Sequence, residues 1–183
     1  IQGKYCFITA AHVLKKAKEG EKTYLNINRE GKWLRIEATP YYCKDKKDRI
    51  DIAVIKTSIP SNEHEVKVPL DSGGVIFGQD AYFLGFPYFG SSINPKVEAF
   101  NEGYPVPFVK KATVSAIHNP IIYIDGHNNP GFAGGPLVFW DHQTKKHKIM
   151  GVISAYLTHF GEIKHIETLT KAFYQENSGI GIA

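Results

Sequence analysis

The sequence has few cysteines and no long apolar segment. Its 183 residues contain two cysteines, Cys6 and Cys43, which could form one disulfide at most. A scaffold held together by several disulfides is therefore excluded, and we expect both thiols to be reduced. No apolar run approaches the roughly 18 residues that a membrane-spanning helix needs, so no membrane span is expected in this segment.

The signatures of metal-binding and nucleic-acid-binding proteins are also missing. The eight histidines and two cysteines do not follow the ligand spacing of a zinc site, so no metal is expected. The net charge of +4 comes from lysines in short groups beside expected turns. Because a nucleic-acid face needs gathered basic residues interleaved with aromatic ones, we expect no such face. A composition of 43% hydrophobic and 22% charged residues is typical of an ordinary globular chain.

Short segments rich in β-branched and aromatic residues recur along the chain between turn residues. This pattern is typical of a sandwich or barrel, and it predicts strands at residues 4–9, 23–28, 32–38, 50–56, 80–86, 108–117, 121–125, 136–140, 148–154 and 179–183. One or two helical turns are predicted at 13–18, and the polar region 60–74 is expected to link two groups of strands. Apolar residues at helical spacing predict a short amphipathic helix over 163–173.

Three motifs carry the residue types that acyl transfer requires. Residues 129–138 read N-P-G-F-A-G-G-P-L-V, a glycine- and proline-rich turn that could present backbone N–H groups to a ligand. His12 ends the motif I-T-A-A-H just after a predicted strand, and Asp51 begins the motif D-I-A-V-I-K. A base, a carboxylate that orients it and N–H donors for an oxyanion are three of the four parts of a serine-protease site. Asp48 is the alternative carboxylate.

In this order, the three motifs resemble those of the trypsin-like serine proteases, and most closely the HtrA-like branch of that family. The segments L-G-F-P at 84–87, I-Y-I-D at 122–125, G-V-I-S at 151–154 and S-G-I-G-I-A at 178–183 follow the order of that branch. The resemblance implies an all-β chymotrypsin-type fold, with two antiparallel six-stranded-type barrels and the active site in the cleft between them. We expect one peptidase domain over 1–183, trimmed at both ends, with barrels at about 1–66 and 75–183.

The resemblance also implies a set of site residues and no cofactor. His12 would be the general base, Asp51 its orienting carboxylate and position 133 the nucleophile, with an oxyanion hole formed by the N–H groups of Gly131 and residue 133. The primary specificity pocket would be lined by His127, Asn128, Asn129, Pro130, Ser154, Ala155, Tyr156, Ile180 and Gly181. This pocket has no carboxylate, and its tyrosine would shorten it, so small apolar residues are expected before the scissile bond.

One residue departs from the family pattern. The nucleophile turn of the family reads G-x-S-G-G-P, whereas this chain has Ala133 at the serine position. Alanine has no nucleophilic atom, so the chain as written is expected to form no acyl-enzyme. Either the serine of an active endopeptidase was replaced, or a natural relative lost catalysis and became a pseudoprotease that binds peptides or proteins. The intact His12 and Asp51 motifs favour the first history.

The expected partners follow from the same resemblance. Protein or peptide substrates are expected, and further domains could lie outside this segment. The compartment is left open, with the bacterial cytoplasm slightly favoured over the periplasm or a secreted location.

Overall fold

Two antiparallel sheets contain almost all of the regular structure of the described residues. The structure, a computed structural model, describes residues 5–14, 16–29, 32–43, 50–59, 68–87, 107–164 and 171–183. The strands of the first sheet are β1 (Tyr5–Ala10), β2 (Thr23–Arg29), β3 (Lys32–Tyr42) and β4 (Ile52–Thr57). Those of the second are β5 (Asp80–Gly85), β6 (Phe108–His118), β7 (Ile121–Asp125), β8 (Pro136–Asp141), β9 (Lys146–Val152), β10 (Ala155–Lys164) and β11 (Lys171–Ile182).

Both sheets are built from antiparallel neighbours. The first has the strand order β1-β4-β3-β2, and the second has the order β10-β11-β7-β6-β5-β8-β9. A 3₁₀ helix at Ala11–Leu14 follows β1 directly. Among the described residues, no helix is both long and apolar enough to cross a membrane. Cys6 and Cys43 are exposed and unpaired in this part of the chain.

Each sheet buries one face, as the alternation of its side chains requires. In β4 the residues Ala53, Ile55 and Thr57 are buried, while the residues between them are only partly covered. The larger core lies in the second sheet, where the fully buried side chains include Phe83, Phe132, Phe139, Ile124 and Leu137. Phe83 and Phe132 pack edge to face, with ring centroids 4.9 Å apart. Because Phe132 lies in the glycine-rich turn, this core also holds the turn in place.

The two sheets meet where β1 approaches the glycine-rich turn. A Cβ atom on Gly134 would lie 2.2 Å from Thr9 Oγ1 and 3.3 Å from the backbone nitrogen of Ala10. A contact this close leaves no room for a side chain at position 134. The end of β1 and the turn are therefore in direct contact.

The predicted fold class is confirmed as an all-β chain with two antiparallel sheets of the chymotrypsin type. About six strands were expected in each half, and the described residues form four in the first sheet and seven in the second. The predicted strands are all present, with small differences at their ends, and β11 is longer than the segment predicted at 179–183. The helical turn predicted at 13–18 instead begins at Ala11 and ends at Leu14.

The helix predicted over 163–173 is wrong for the described residues of that segment. Residues up to Lys164 belong to β10, and residues from Lys171 belong to β11. The two strands pair antiparallel, with Ile163 opposite Ala172 and Lys164 opposite Lys171. Cross-strand pairing therefore overrides the helical spacing of the apolar residues. The remaining residues, 165–170, lie outside the described part of the chain, as does the alternative carboxylate Asp48.

Candidate active site

The register of β1 and β4 brings the histidine and the aspartate together. Ala10, the last residue of β1, lies opposite Ile52, the first residue of β4. His12 therefore follows one strand at the point where Asp51 precedes the other. The backbone N–H of Ala11 donates to the carbonyl oxygen of Asp51 at 3.0 Å, which continues the ladder past the strands.

Both carboxylate oxygens of Asp51 form hydrogen bonds with His12. The backbone N–H of His12 donates to Oδ1 at 2.8 Å, and the ring Nδ1 lies 2.6 Å from Oδ2. A proton on Nδ1 that is donated to the carboxylate leaves Nε2 as the nitrogen that can accept a proton. The His12 side chain is 41% exposed and that of Asp51 is 24% exposed. The His12 ring is therefore oriented by the carboxylate and still open to solvent.

Ser154 supplies a third hydrogen bond to the same carboxylate. It lies between β9 and β10, and its hydroxyl donates to Asp51 Oδ2 at 2.7 Å. Its own backbone N–H donates to the carbonyl oxygen of Ile182 at 2.9 Å, which fixes it to the second sheet. Burial acts to raise the pKa of Asp51, but the bonds from Ser154 and His12 outweigh it and hold the pKa below its usual value. Asp51 is therefore ionised at neutral pH.

The glycines of the turn allow backbone contacts that side chains would prevent. Gly131 has a φ of 101°, and a Cβ on it would lie 2.5 Å from the carbonyl oxygen of Phe86. A Cβ on Gly135 would lie 1.9 Å from the carbonyl oxygen of Leu84. The N–H of Gly134 donates to the carbonyl oxygen of Ile153 at 2.7 Å. The turn is thus fixed against neighbouring backbone on both sides.

Two N–H groups of the turn are left for a ligand. Among the described residues, neither the N–H of Gly131 nor that of Ala133 donates a hydrogen bond. The carbonyl oxygen of Gly131, by contrast, accepts a bond of 2.9 Å from the N–H of Phe86. An oxyanion hole needs unused backbone donors of this kind, and these two have a single residue, Phe132, between them.

His12, Asp51, Ser154 and the glycine-rich turn line one cleft of about 740 Å³. Most of the residues predicted for the site line it, namely His12, Asp51, Asn128, Asn129, Pro130, Gly131, Ala133, Ser154, Ala155 and Tyr156. Val13 and Thr158 also line it, and no sequence motif pointed to either of them. The lining comes from residues beside both sheets.

Three predicted pocket residues are not part of this lining. His127 is exposed, and its carbonyl oxygen accepts a hydrogen bond from Lys110. Ile180 and Gly181 lie in β11, opposite Asp125 and Ile124 of β7. A Cβ on Gly181 would lie 2.9 Å from Ile124 Cγ1, so this glycine serves the packing of β11 against β7.

Asn128 forms the best-covered polar part of the cleft. Its side chain is 2% exposed, and Nδ2 donates to the carbonyl oxygen of Ala155 at 3.1 Å. Its own carbonyl oxygen accepts a bond from the side-chain amide of Asn177. Both links tie the turn to the hairpin of β10 and β11. The neighbouring Asn129 accepts a bond from Lys110 through its side chain.

Lys110 is a site-associated residue that the sequence reasoning missed. It lies in β6, on the same face as the buried Ala112 and Val114. Burial lowers its pKa. The signal was present in the sequence, because in a strand the residues 110, 112 and 114 must share one face. No cluster of His, Cys, Asp or Glu that could hold a metal ion occurs in the described ranges.

Comparison with known proteins bears on the family and the fold of the chain. The sequence profile of the trypsin-like peptidase domain matches residues 1–145. The chain is similar in fold to the crystal structure of the serine endoprotease from Yersinia pestis, at 19% identity and a TM-score of 0.54. That match covers 83% of this chain and 45% of the other chain, so this chain spans less than half of it. No curated protein matches the chain. The profile covers most of the sequence, which confirms the resemblance, and the chain therefore belongs to the trypsin-like peptidase domain family.

Proposed function

We propose that this chain is the peptidase domain of a serine endopeptidase that acts on proteins or peptides, with position 133 as the nucleophile position. The observation that carries the proposal is the set of hydrogen bonds joining His12, Asp51 and Ser154 in one cleft with the turn of Ala133. Acyl transfer needs an oriented base, and the His12 ring is held in place by the ionised carboxylate of Asp51. It also needs N–H donors for an oxyanion, which the unused N–H groups of the turn could supply.

Each residue has a definite role in that reaction. His12 Nε2 accepts the proton of a nucleophile at position 133 and later returns it to the leaving amine. Asp51 holds the proton on Nδ1 and stabilises the imidazolium that forms. The N–H groups of Gly131 and residue 133 bind the developing oxyanion. No step requires a metal or an organic cofactor.

With alanine at position 133 the first of these steps has no nucleophile. Removing a triad member from a serine protease leaves a residual rate of roughly 10³–10⁴ over water, far below that of the intact enzyme. We therefore propose that the chain binds peptide substrates in the cleft without cleaving them. We favour the history in which the serine of an active endopeptidase was replaced by alanine, because His12 and Asp51 keep their hydrogen bonds to each other.

A natural pseudoprotease is the second candidate, and Ala133 itself is the observation in its favour. Such a protein would use the same cleft to hold a peptide or protein partner. The division into barrels at about 1–66 and 75–183 is likewise part of the proposal. Further domains, together with the activity and partners of a longer protein, are proposals of the same kind.

The test is the Ala133→Ser variant. We expect it to cleave peptides from a broad library, and we expect Ala133→Ser with His12→Ala to be inactive. Since the hydrogen bonds of His12 and Asp51 do not involve the side chain at position 133, the new hydroxyl should require no rearrangement of the base. An Ala133→Ser protein that binds peptides but cleaves none would favour the pseudoprotease.

A further inference from the structure

The Lys110 side chain points from β6 to the turn that carries the two unused N–H groups. Its Nζ donates to the carbonyl oxygen of His127 at 2.7 Å and to Oδ1 of Asn129. It also stands over the ring of Phe132, 5.2 Å from the ring centroid. One ammonium group therefore contacts three residues in the segment 127–132.

These contacts surround the N–H groups of Gly131 and Ala133. Asn129 precedes Gly131 by two residues, and Phe132 lies between Gly131 and Ala133. The N–H of Phe132 donates to the carbonyl oxygen of Asn129 at 3.3 Å, so two of the three residues that Lys110 contacts are also joined to each other. A displacement of this turn would therefore move both N–H donors together.

The hydrogen-bond acceptors of Lys110 are uncharged. No carboxylate among the described residues pairs with it, and its acceptors are a carbonyl oxygen and a side-chain amide. The side chain is partly buried, and burial lowers its pKa, so these acceptors replace part of the hydration that its ammonium group loses. Hydrogen bonds from a charged donor are roughly twice as strong as neutral ones and hold their acceptors more firmly.

We propose that Lys110 is a positioning residue that holds the turn 127–133 so that the N–H groups of Gly131 and Ala133 can bind a carbonyl or carboxylate oxygen of the peptide. This inference rests on the proposed function, because it assigns a residue to the oxyanion hole of that reaction. Lys110 acts through the turn and does not touch the substrate. Without the Lys110 side chain the cleft remains, but the N–H groups of Gly131 and Ala133 are no longer held in position.

The test uses the protein with Ala133 in place and requires no turnover. A short N-blocked peptide ending in leucine is compared as its free carboxylate and as its carboxamide, by isothermal titration calorimetry. We expect the protein to prefer the carboxylate, because two N–H donors bind an anionic oxygen more strongly than a neutral one. In Lys110→Met we expect that preference to fall by about tenfold, with carboxamide affinity nearly unchanged.

Lys111→Met is the matched control. It removes the same charge one residue away, on the other face of β6, where Lys111 pairs with Asp80 at 2.8 Å and is 59% exposed. The carboxylate preference should survive in this variant. An equal loss in Lys110→Met and Lys111→Met would mean that general charge attracts the carboxylate, and it would overturn the proposal. So would an unmodified protein without any carboxylate preference.

Two further measurements separate this inference from the function on which it rests. If Lys110→Met does not fold, Lys110→Gln takes its place, since a shorter neutral amide loses the reach while keeping the site polar. If Ala133→Ser is active, Lys110→Met in that background should lower kcat more than it raises KM. An inert Ala133→Ser would contradict the proposed function, whereas the carboxylate comparison decides the role of Lys110 alone.

Discussion

A single methyl group at position 134 should separate the two halves of the candidate site. Gly134 follows position 133, and Thr9 precedes His12 by three residues, so their contact joins the turn to the base. Gly134 has a φ of 87°, and a Cβ on it would lie 2.2 Å from Thr9 Oγ1. The substitution Gly134→Ala therefore introduces backbone strain and a steric clash together.

The two costs can be estimated separately. A non-glycine residue at positive φ costs about 1–3 kcal/mol. Overpacking a well-filled contact by one carbon costs about 1–3 kcal/mol more. Gly134→Ala should therefore lower the free energy of unfolding by about 2–6 kcal/mol. Thr9→Ala removes Oγ1 and leaves the next atoms, Thr9 Cβ and Ala10 N, at 3.3 Å, so it should relieve most of the clash and none of the strain.

Urea unfolding of the two single variants and the double variant measures the coupling. Fluorescence follows both sheets, because Trp33 lies in β3 and Trp140 in β8. We expect the double variant to be more stable than the sum of the single effects by about 1–3 kcal/mol. Gly78→Ala is the control, since Gly78 has a φ of 76° but open space where its Cβ would lie.

Because Gly78→Ala introduces backbone strain without a steric clash, it should lower the free energy of unfolding by about 1–3 kcal/mol. Its effect should add to that of Thr9→Ala without coupling. In the Ala133→Ser background, Gly134→Ala should also reduce kcat, because a misplacement of about 1 Å can cost on the order of 10²-fold. Strictly additive effects of Gly134→Ala and Thr9→Ala, or a Gly134→Ala cost no larger than that of Gly78→Ala, would refute the steric reasoning.

Three other predictions concern charge. Ser154→Ala removes a hydrogen bond that lowers the pKa of Asp51, so NMR titration should give a higher pKa for this carboxyl, and an unchanged value would contradict its role. Lys148 forms ion pairs with Asp71 and Asp141 and lowers the pKa of both carboxyl groups. These pairs therefore stabilise the folded protein fully above about pH 4, the ordinary pKa of an aspartate, and the stabilisation is lost as the pH falls through the lower pKa values of the folded state. Lys148→Met should therefore destabilise the protein at neutral pH, with a difference in urea midpoint that narrows in acid; a constant difference would argue against the ion pairs. Profiling Ala133→Ser on a randomised peptide library should show cleavage after Ala, Val or Leu. Asp51 is the only carboxylate that lines the cleft in the described residues, and its bonds to His12 and Ser154 leave no carboxylate to pair with a basic substrate side chain. Dominant cleavage after Lys, Arg or Glu would contradict this prediction.

The parts of the site that local motifs encode could be predicted, and the parts that depend on packing could not. His12 and Asp51 lie within short motifs, and their meeting follows from the pairing of the strands beside them. The role of Ser154 was only half predicted, as a pocket wall, because its bond to Asp51 spans 103 positions in sequence. Lys110 was missed because the strand pattern that places it on one face with Ala112 and Val114 does not show that this side chain reaches the turn.

The hairpin of β10 and β11 illustrates the same limit in the fold. Apolar residues spaced by three and four positions fit a helix, and the segment from Ile163 to Phe173 has that spacing. The spacing carries no information about which strand edge is available. Once β11 pairs with β7 through Ile180 and Ile182, its other edge is free to pair with β10. Sheet pairing gives backbone hydrogen bonds to the described residues at both ends of this segment, and this context decides their structure.

The arrangement of the carboxylate explains why an alanine at position 133 is compatible with an otherwise complete site. Asp51 receives one hydrogen-bond partner from each half of the molecule, His12 after β1 of the first sheet and Ser154 before β10 of the second. Neither bond uses the side chain at position 133. The turn itself is fixed by its glycine contacts and by the buried Phe132. Because these contacts of His12, Asp51 and the turn are independent of the side chain at position 133, the proposed function predicts that a residue without a hydroxyl there removes the reaction and leaves the binding geometry in place.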